Sequence, residues 1–414
     1  MSAGFFAEAR HHYTATFEAS IRRLPLNRDW LVVAGIERAI EYLLNLSFTE
    51  AEIDYLRGLK QLQHAPAAFF DYLRDFRFTG DFDAVPEGTV LFAGEPILSI
   101  AAPLIQAQIP ETYLLSAVTF ESLIATKAAR IVDAAGSRSV LEFGTRRAHT
   151  PEAGTLGARA AYIGGCAGTS NTLAGFRYGI PVFGTAAHSW IMSFHEESEA
   201  FRSLQRLLGD QTVQLIDTYD PIEGARKTAQ LGRPLWGVRL DSGDLYKLSV
   251  EVRRILDDAG LQDARIMASG DLDEHRIAEL VAAGAPIDSF GVGTELATSA
   301  DAPAMGMIYK IVALDEGGRL RYMAKNSEGK PSVPGAKQIW RSADRDLVSL
   351  AHETVEDAAP LLQPVIRNGR RIAPPEPIET IRCRAALSRR SLEPNRRVDR
   401  SAALEDLIHA TRLP

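Results

Sequence analysis

Between Ser139 and about Tyr309 the chain keeps one rhythm: a short apolar run, a polar glycine-bearing loop, then in most cases a helix. The seven runs are Val140–Phe143, Tyr162–Ile163, Pro181–Phe183, Val213–Ile216, Leu235–Leu240, Arg265–Ala268 and Ser289–Val292. Units roughly 20 to 30 residues apart suit a parallel sheet, because each parallel strand needs a helical crossover to bring the chain back. Seven of them predict an α/β fold, an irregular parallel α/β barrel rather than a complete eightfold one. Strand-end loops then gather on one face, and the polar motifs of this stretch all fall in those loops.

The crossover helices are well marked. One carries Leu245, Leu248, Val252, Ile255, Leu256 and Ala259 on a single face and stops at Gly260. Another is expected to start at Asp271, with Glu274 completing a capping box, and to stop at Gly284. Residues Glu111 to Ala135 predict one long helix closed by Gly136. Residues 1–108 mix short strands with helices, including the amphipathic run Trp30 to Leu46. After 310 the chain is strand-like, with hairpin signals at Glu316-Gly317-Gly318 and Asn368-Gly369. The expected organisation is therefore a barrel domain, 109–309, and a second, discontinuous α+β domain built from the N- and C-terminal stretches, 1–108 and 310–414.

Composition removes several function classes. A net charge of -7 argues against a nucleic-acid binder that works through bulk electrostatics. The late arginines, from Arg367 to Arg400, are interspersed with acids and read as a solvated surface. Two distant cysteines, Cys166 and Cys383, exclude a disulfide framework and a cysteine-rich zinc site, and they suit a reducing cytosol. There is no uncharged apolar stretch long enough for a membrane span, and the first residues lack a secretory apolar run. A cytoplasmic enzyme with neither membrane nor nucleic acid as partner is the expectation. The opening Met1-Ser2-Ala3-Gly4-Phe5-Phe6 reads as a helix interior without a cap ahead of it. It is accordingly expected to start at an internal methionine.

The candidate chemistry follows the strands in order. Glu142-Phe143-Gly144-Thr145-Arg146-Arg147 ends the first. On extended backbone its two arginines point to opposite sides, which sends one guanidinium toward a phosphate or carboxylate; a surface pair held in salt bridges is the other reading. Gly168-Thr169-Ser170-Asn171 combines close backbone approach with helix-capping side chains. Gly184-Thr185-Ala186-Ala187 places small residues ahead of His188, leaving room around an imidazole that is nucleophilic near neutrality. A lone histidine is also commonly structural. Asp217-Thr218-Tyr219-Asp220 and Arg239-Leu240-Asp241-Ser242-Gly243-Asp244 cluster carboxylates suited to Mg²⁺ or ribose hydroxyls. Asp217, Asp220 and Asp244 each precede a helix, so capping is an equal reading for them. Arg239 and Asp241 share a strand face, and capping explains neither. Ser269-Gly270-Asp271 and Gly291-Val292-Gly293-Thr294 offer bare N–H groups to a phosphate. No phosphate-binding P-loop is present.

Seven ordered strings resemble the nicotinate phosphoribosyltransferase family of type II phosphoribosyltransferases: EFGTRRAH (142–149), GTSNTLAG (168–175), FGTAAHSW (183–190), DTYD (217–220), VRLDSGDL (238–245), ASGDLDE (268–274) and FGVGTEL (290–296). The resemblance implies that nicotinate and 5-phosphoribosyl 1-diphosphate give nicotinate mononucleotide and diphosphate, driven by ATP through a phosphohistidine at His188. It implies that Thr185 and Arg239 hold the nicotinate carboxylate, with Arg146 near the ring and phosphates. Gly270, Gly293 and Thr294 match the grip on the 5′-phosphate. Asp241 and Asp244 match the ribose and Mg²⁺-diphosphate side, while Asp220 and Asn171 lie in matching strings as further catalytic and substrate-binding candidates. A homodimer with shared active sites is implied, in which a tyrosine of the neighbouring subunit stacks on the nicotinate ring. The string that carries that tyrosine in the family is missing here, and Tyr13 stands in the wrong context. Relatives that use nicotinamide have an acid in the GTSNT region. Ser170 and Asn171 stand there instead, which favours the acid substrate over nicotinamide; a non-catalytic relative of the same fold is the other alternative.

Overall fold

The structure is a computed structural model that describes residues 1–327, 330–391 and 396–412. It divides into two compact units, Ile124–Pro303 and the combination of Met1–Leu123 with Ala304–Pro414. The division falls inside the helix Glu111–Ala135, whereas the sequence places the break ahead of that helix.

The central unit is a six-stranded, wholly parallel sheet. Its strands are β1 (Ser139–Glu142), β2 (Gly168–Thr169), β3 (Val213–Leu215), β4 (Gly237–Leu240), β5 (Arg265–Ser269) and β6 (Ser289–Val292), in the order β2-β1-β6-β5-β4-β3. A single parallel bridge, Thr169 to Val182, adds the start of a seventh position beside β2. All four residues of β6 are buried, as expected of a strand covered on both faces. The run Tyr162–Ile163 is not a strand. It ends α1 (Pro151–Ile163), whose buried residues run unbroken from Gly157 to Ile163, so no amphipathic period marks it as helical.

The remaining helices of this unit are α2 (Thr172–Tyr178), α3 (His188–Met192), α4 (Glu197–Leu208), α5 (Pro221–Leu231), α6 (Leu245–Asp258), α7 (Glu274–Ala282) and α8 (Thr294–Ala297). Helix α6 buries Leu245, Ser249, Val252 and Leu256, one stripe at helical spacing. Helix α7 is capped by Asp273, which accepts the Arg276 N–H, and not by Asp271. Asp271 sits at φ +43, outside the helix. The start of α7 is pinned from the long helix: Lys127, almost wholly buried, reaches Glu274 at 2.6 Å and Asp301 at 2.9 Å. Two acids facing one buried ammonium offset its charge, as a buried charge requires.

The terminal unit brings both ends of the chain into one seven-stranded sheet. Thr14–Arg23 lies between Gly306–Asp315 and Pro96–Pro103, antiparallel to both. The turns at Gly317-Gly318 and Asn368-Gly369 join adjacent strands, as their sequence predicts. Phe17 and Tyr309 stack across the central pair at 5.0 Å, and the Tyr309 hydroxyl donates to the Ala107 carbonyl at 2.6 Å. A smaller sheet runs Ala359–Pro360, Lys337–Arg341, Arg345–Leu350, Arg397–Arg400. Among the described residues no helix is long and apolar enough to cross a membrane, and both cysteines are free.

Glu95 and Asp346 are both wholly buried in the terminal unit. Asp346 takes a double hydrogen bond from Arg341, at 2.9 and 2.6 Å, and one from Arg396 at 2.8 Å. Burial, and then the Asp346 charge, push the Glu95 carboxyl well above its ordinary range. Glu95 therefore keeps its proton and donates it to Asp346. A folded-state pKa above the unfolded one gives stability that is complete at low pH and is lost as pH rises through the folded value. Wild-type protein should thus lose melting temperature from the upper carboxylate range into alkali. Glu95→Gln donates the same hydrogen bond without titrating, and should flatten that loss. An unchanged pH slope in thermal melts of Glu95→Gln would reject the shared proton.

Candidate active site

Strand register decides which side chains meet. Leu215 of β3 pairs with Arg239 of β4, and Arg239 pairs with Met267 of β5. Two residues further on, Asp217, Asp241 and Ser269 therefore end three neighbouring strands at one level. The side chains record it: Asp217 accepts the Asp241 N–H at 2.8 Å, and the Ser269 hydroxyl donates to Asp241 at 2.5 Å.

Arg239 is the centre of this row, with its side chain 13% exposed. Its Nε donates to Ser269 Oγ at 2.8 Å, one terminal nitrogen to Thr185 Oγ1 at 2.8 Å, and the other to Asp241 at 2.5 Å. The guanidinium lies 5.9 Å from the Phe143 ring centroid. Each donor is aimed by a different loop, so the group is held in one orientation. Thr185 Oγ1 accepts from Arg239, which leaves its own hydroxyl hydrogen for a ligand. A cavity of about 360 Å³ lies against the same sheet, lined from the strand starts Ser139, Val213, Arg265 and Ser289 up to Phe143 and Gly184; of the groups around Arg239 only Phe143 reaches it.

Burial pushes the Asp241 carboxyl up, but the Ser269 hydrogen bond, the Arg239 charge and hydrogen bond, and His188 outweigh it. Asp241 consequently lies below the ordinary carboxylate range and is ionised. His188 opens α3, with its side chain 42% exposed. Its Nδ1 is 3.2 Å from Thr218 Oγ1, and its Nε2 is 3.6 Å from Asp241, an electrostatic contact rather than a hydrogen bond. Thus Thr185, His188, Arg239 and Asp241 are brought together.

Other expected residues lie elsewhere in the unit's loops. Gly270 follows β5 at φ +92, and a Cβ there would overlap the Asp241 carbonyl oxygen. Gly293 and exposed Thr294 follow the adjacent β6. Arg146 and Arg147 sit in a 3₁₀ turn, Thr145–Arg147, and not on extended backbone. Both are exposed, and the alternation that would send one inward and one outward has no extended backbone to rest on. Asn171 is buried; it caps α2 and donates to Thr145 at 3.1 Å and Thr155 at 3.5 Å, so its amide donors are occupied within the protein. Asp220 is an exposed cap of α5, accepting the Ile222 and Glu223 N–H groups at 2.9 Å. Asp244 is an exposed cap of α6, held below the ordinary range by Lys247.

The sequence leaves Asp217 between a clustered carboxylate and a helix cap, and does not single out Phe143. Asp217 is buried; its Oδ2 accepts from Asp241 and from Ser242 at 2.8 Å each, while its Oδ1 has no hydrogen-bond partner among the described residues. The available signal was position: Asp217 directly follows the apolar run Val213–Ile216, as Asp241 directly follows Leu235–Leu240.

A model of the nicotinate phosphoribosyltransferase (NAPRTase) family matches residues 139–358, and one of its N-terminal domain matches residues 1–119. A nicotinate phosphoribosyltransferase of Mycobacterium tuberculosis is 44% identical over 384 residues, which cover 90% of this chain and 81% of that protein. One of Bacillus subtilis is 41% identical over 373 residues, covering 86% and 75%. The crystal structure of human nicotinic acid phosphoribosyltransferase superimposes with a TM-score of 0.86 at 26% identity, over 99% of this chain and 98% of that one.

The two acids of the Asp217–Asp220 string should separate on substitution. Asp220→Ala should cost about 1 kcal/mol of stability, the usual worth of a helix cap, with turnover intact. Asp217→Asn should lose most turnover at nearly unchanged melting temperature. Denaturant melts beside steady-state rates check both, and equal rate losses would contradict the assignment.

Proposed function

The chain belongs to the nicotinate phosphoribosyltransferase family, and we propose that it joins nicotinate to 5-phosphoribosyl 1-diphosphate at the strand-end row centred on Arg239. The observation that carries this reading is the guanidinium fixed by Thr185, Ser269 and Asp241, with a hydroxyl hydrogen beside it for a carboxylate. Charge-assisted donors held in one geometry select a planar carboxylate over an amide. Phe143, against the guanidinium, supplies a wall for the pyridine ring.

In the transfer, the pyridine nitrogen lone pair forms the bond to C1′ as the C1′–oxygen bond breaks, and diphosphate leaves with that electron pair. No proton moves. Positive charge develops at the ribose, and Asp241 with Asp217 is suited to stabilise it. The glycine turns at Gly270 and Gly293–Thr294 offer N–H groups for the 5′-phosphate. Arg146, exposed on its turn, is available to the phosphates.

Mg²⁺, when bound, neutralises the leaving diphosphate. Asp217 and Asp241 would hold it, since Asp217 Oδ1, with no hydrogen-bond partner among the described residues, is a buried carboxylate oxygen beside an ionised neighbour. Among the described residues no three metal-ligating side chains cluster. That fits an ion which keeps most of its oxygens from phosphate and water. Asp244, tied to its own helix and to Lys247, contributes charge rather than a buried ligand.

ATP is the proposed co-substrate. A His188 nitrogen bonds to the γ-phosphorus as ADP leaves, and water later takes the phosphoryl group as phosphate. The homodimer with shared sites belongs to the same reading. Nicotinamide as substrate is disfavoured by Ser170, where an acid would receive the amide. Mononucleotide formation from nicotinate, nicotinamide and quinolinate, run side by side, tests the assignment: nicotinate is expected to dominate.

Two variants probe the parts separately. Arg239→Ala should lose roughly 2–5 kcal/mol of nicotinate transition-state binding, the cost of a stranded charge, while any nicotinamide use changes little. Equal loss for both substrates would assign Arg239 to the phosphates instead. His188→Ala should abolish ATP hydrolysis and the acid-labile phosphoprotein, yet retain slow ATP-independent synthesis. Detection of that phosphoprotein in His188→Ala would remove His188 from the phosphoryl pathway.

A further inference from the structure

Alternation along β1 sends Ser139, Leu141 and Phe143 to one face and Val140 and Glu142 to the other. Glu142 is 2% exposed, and among the described residues no lysine or arginine pairs with it. A buried carboxylate without a cation is costly, and a neutral side chain would fill the same space. What the carboxylate adds is two acceptors at a fixed separation. One takes the Gly144 N–H and the other takes the Thr169 hydroxyl at 2.5 Å.

Those donors belong to different loops. Gly144 lies between Phe143 and Arg146, and Thr169 ends β2. Thr169 Oγ1 accepts the Asn171 N–H at 2.9 Å, and the Asn171 amide donates to Thr145 at 3.1 Å, which closes a ring of hydrogen bonds. Gly144 has no slack, because a Cβ there would overlap Ala297 and the Gly293 carbonyl. Glu142 thereby ties the loops after β1 and β2 to one point, and Gly144 packs that point against the loop after β6.

We propose that Glu142 is a positioning residue for the reaction proposed above, acting through Gly144 and Thr169 to hold Phe143 and Arg146 where the substrates need them. It touches no substrate itself. Its raised carboxyl, pushed up by burial against the Thr169 and Gly144 hydrogen bonds, agrees with a group kept for its acceptors.

The test uses the full chain. Glu142→Gln preserves shape but turns an NH₂ toward Thr169. Amide exchange read by mass spectrometry should speed up about tenfold in the segments 144–147 and 169–171, with the turns after β5 unchanged, the factor expected from one charge-assisted hydrogen bond. KM for both substrates should rise by about the same factor, and by more than kcat falls. Thr169→Val removes the hydroxyl alone and should speed exchange at Asn171 but not at Gly144. If Glu142→Gln does not fold, Thr169→Val decides. Wild-type exchange in these segments with wild-type KM overturns the proposal, and so does a uniform rise in exchange with KM unchanged, which marks a merely structural acid. Wild-type protein without phosphoribosyl transfer would defeat the functional reading instead, and the exchange result would stand apart from it.

Discussion

The ion pair between Arg239 and Asp241 is the interaction from which the rest of the site is built. Both side chains leave one short strand on the same face, close to the protein interior, where neither charge is stable alone. Each compensates the other, and each then takes neighbours from adjacent strands: Ser269 bonds to both, Thr185 to Arg239, and the Asp241 N–H to Asp217. A slip of one residue in β4 would turn the pair to the helix-covered face and leave Asp217 and Ser269 facing nothing. The buried parallel ladder therefore carries the chemistry as well as the fold, because its register is what sets these groups level.

Around that row the loops are fixed from outside by groups that never reach a ligand. Lys127 holds the start of α7 through Glu274 and the turn after α8 through Asp301. Glu142 holds the loops after β1 and β2. Polar groups buried between sheet and helices restrict motion where they are paired or hydrogen-bonded, as Lys127 and Glu142 are. They let short, glycine-rich turns hold a defined shape that their own sequences would not impose.

Acids show how closely two roles can look alike in a sequence. Asp217, Asp220, Asp244 and Asp273 all follow or approach a strand end and precede a helix. Asp220, Asp244 and Asp273 accept N–H groups two or three residues on, the mark of a cap. Asp217 instead accepts from Asp241 and Ser242, 24 and 25 residues away. Locally only its place distinguishes it, directly after the apolar run and not directly before the helix. The same limit explains the misplaced strand at Tyr162–Ile163, where a helix buried all round presents only an apolar run, and the two-residue strand Gly168–Thr169, too short to show alternation.

What the sequence determined by itself is whatever neighbouring residues settle among themselves. The long helix closed by Gly136, the stripe of α6 with its stop at Gly260, the two glycine hairpins and the shared face of Arg239 and Asp241 all follow from periods of 3.6 and 2 and from turn chemistry. The residue types at the strand ends likewise announce a site for anions. Tertiary structure decided which of those residues meet. Pairing Leu215 with Arg239 and Arg239 with Met267 joins positions 24 and 28 residues apart, and their register depends on packing between helices and sheet rather than on any string. Asp217 entered the site, and Asp220 remained a cap, for that reason.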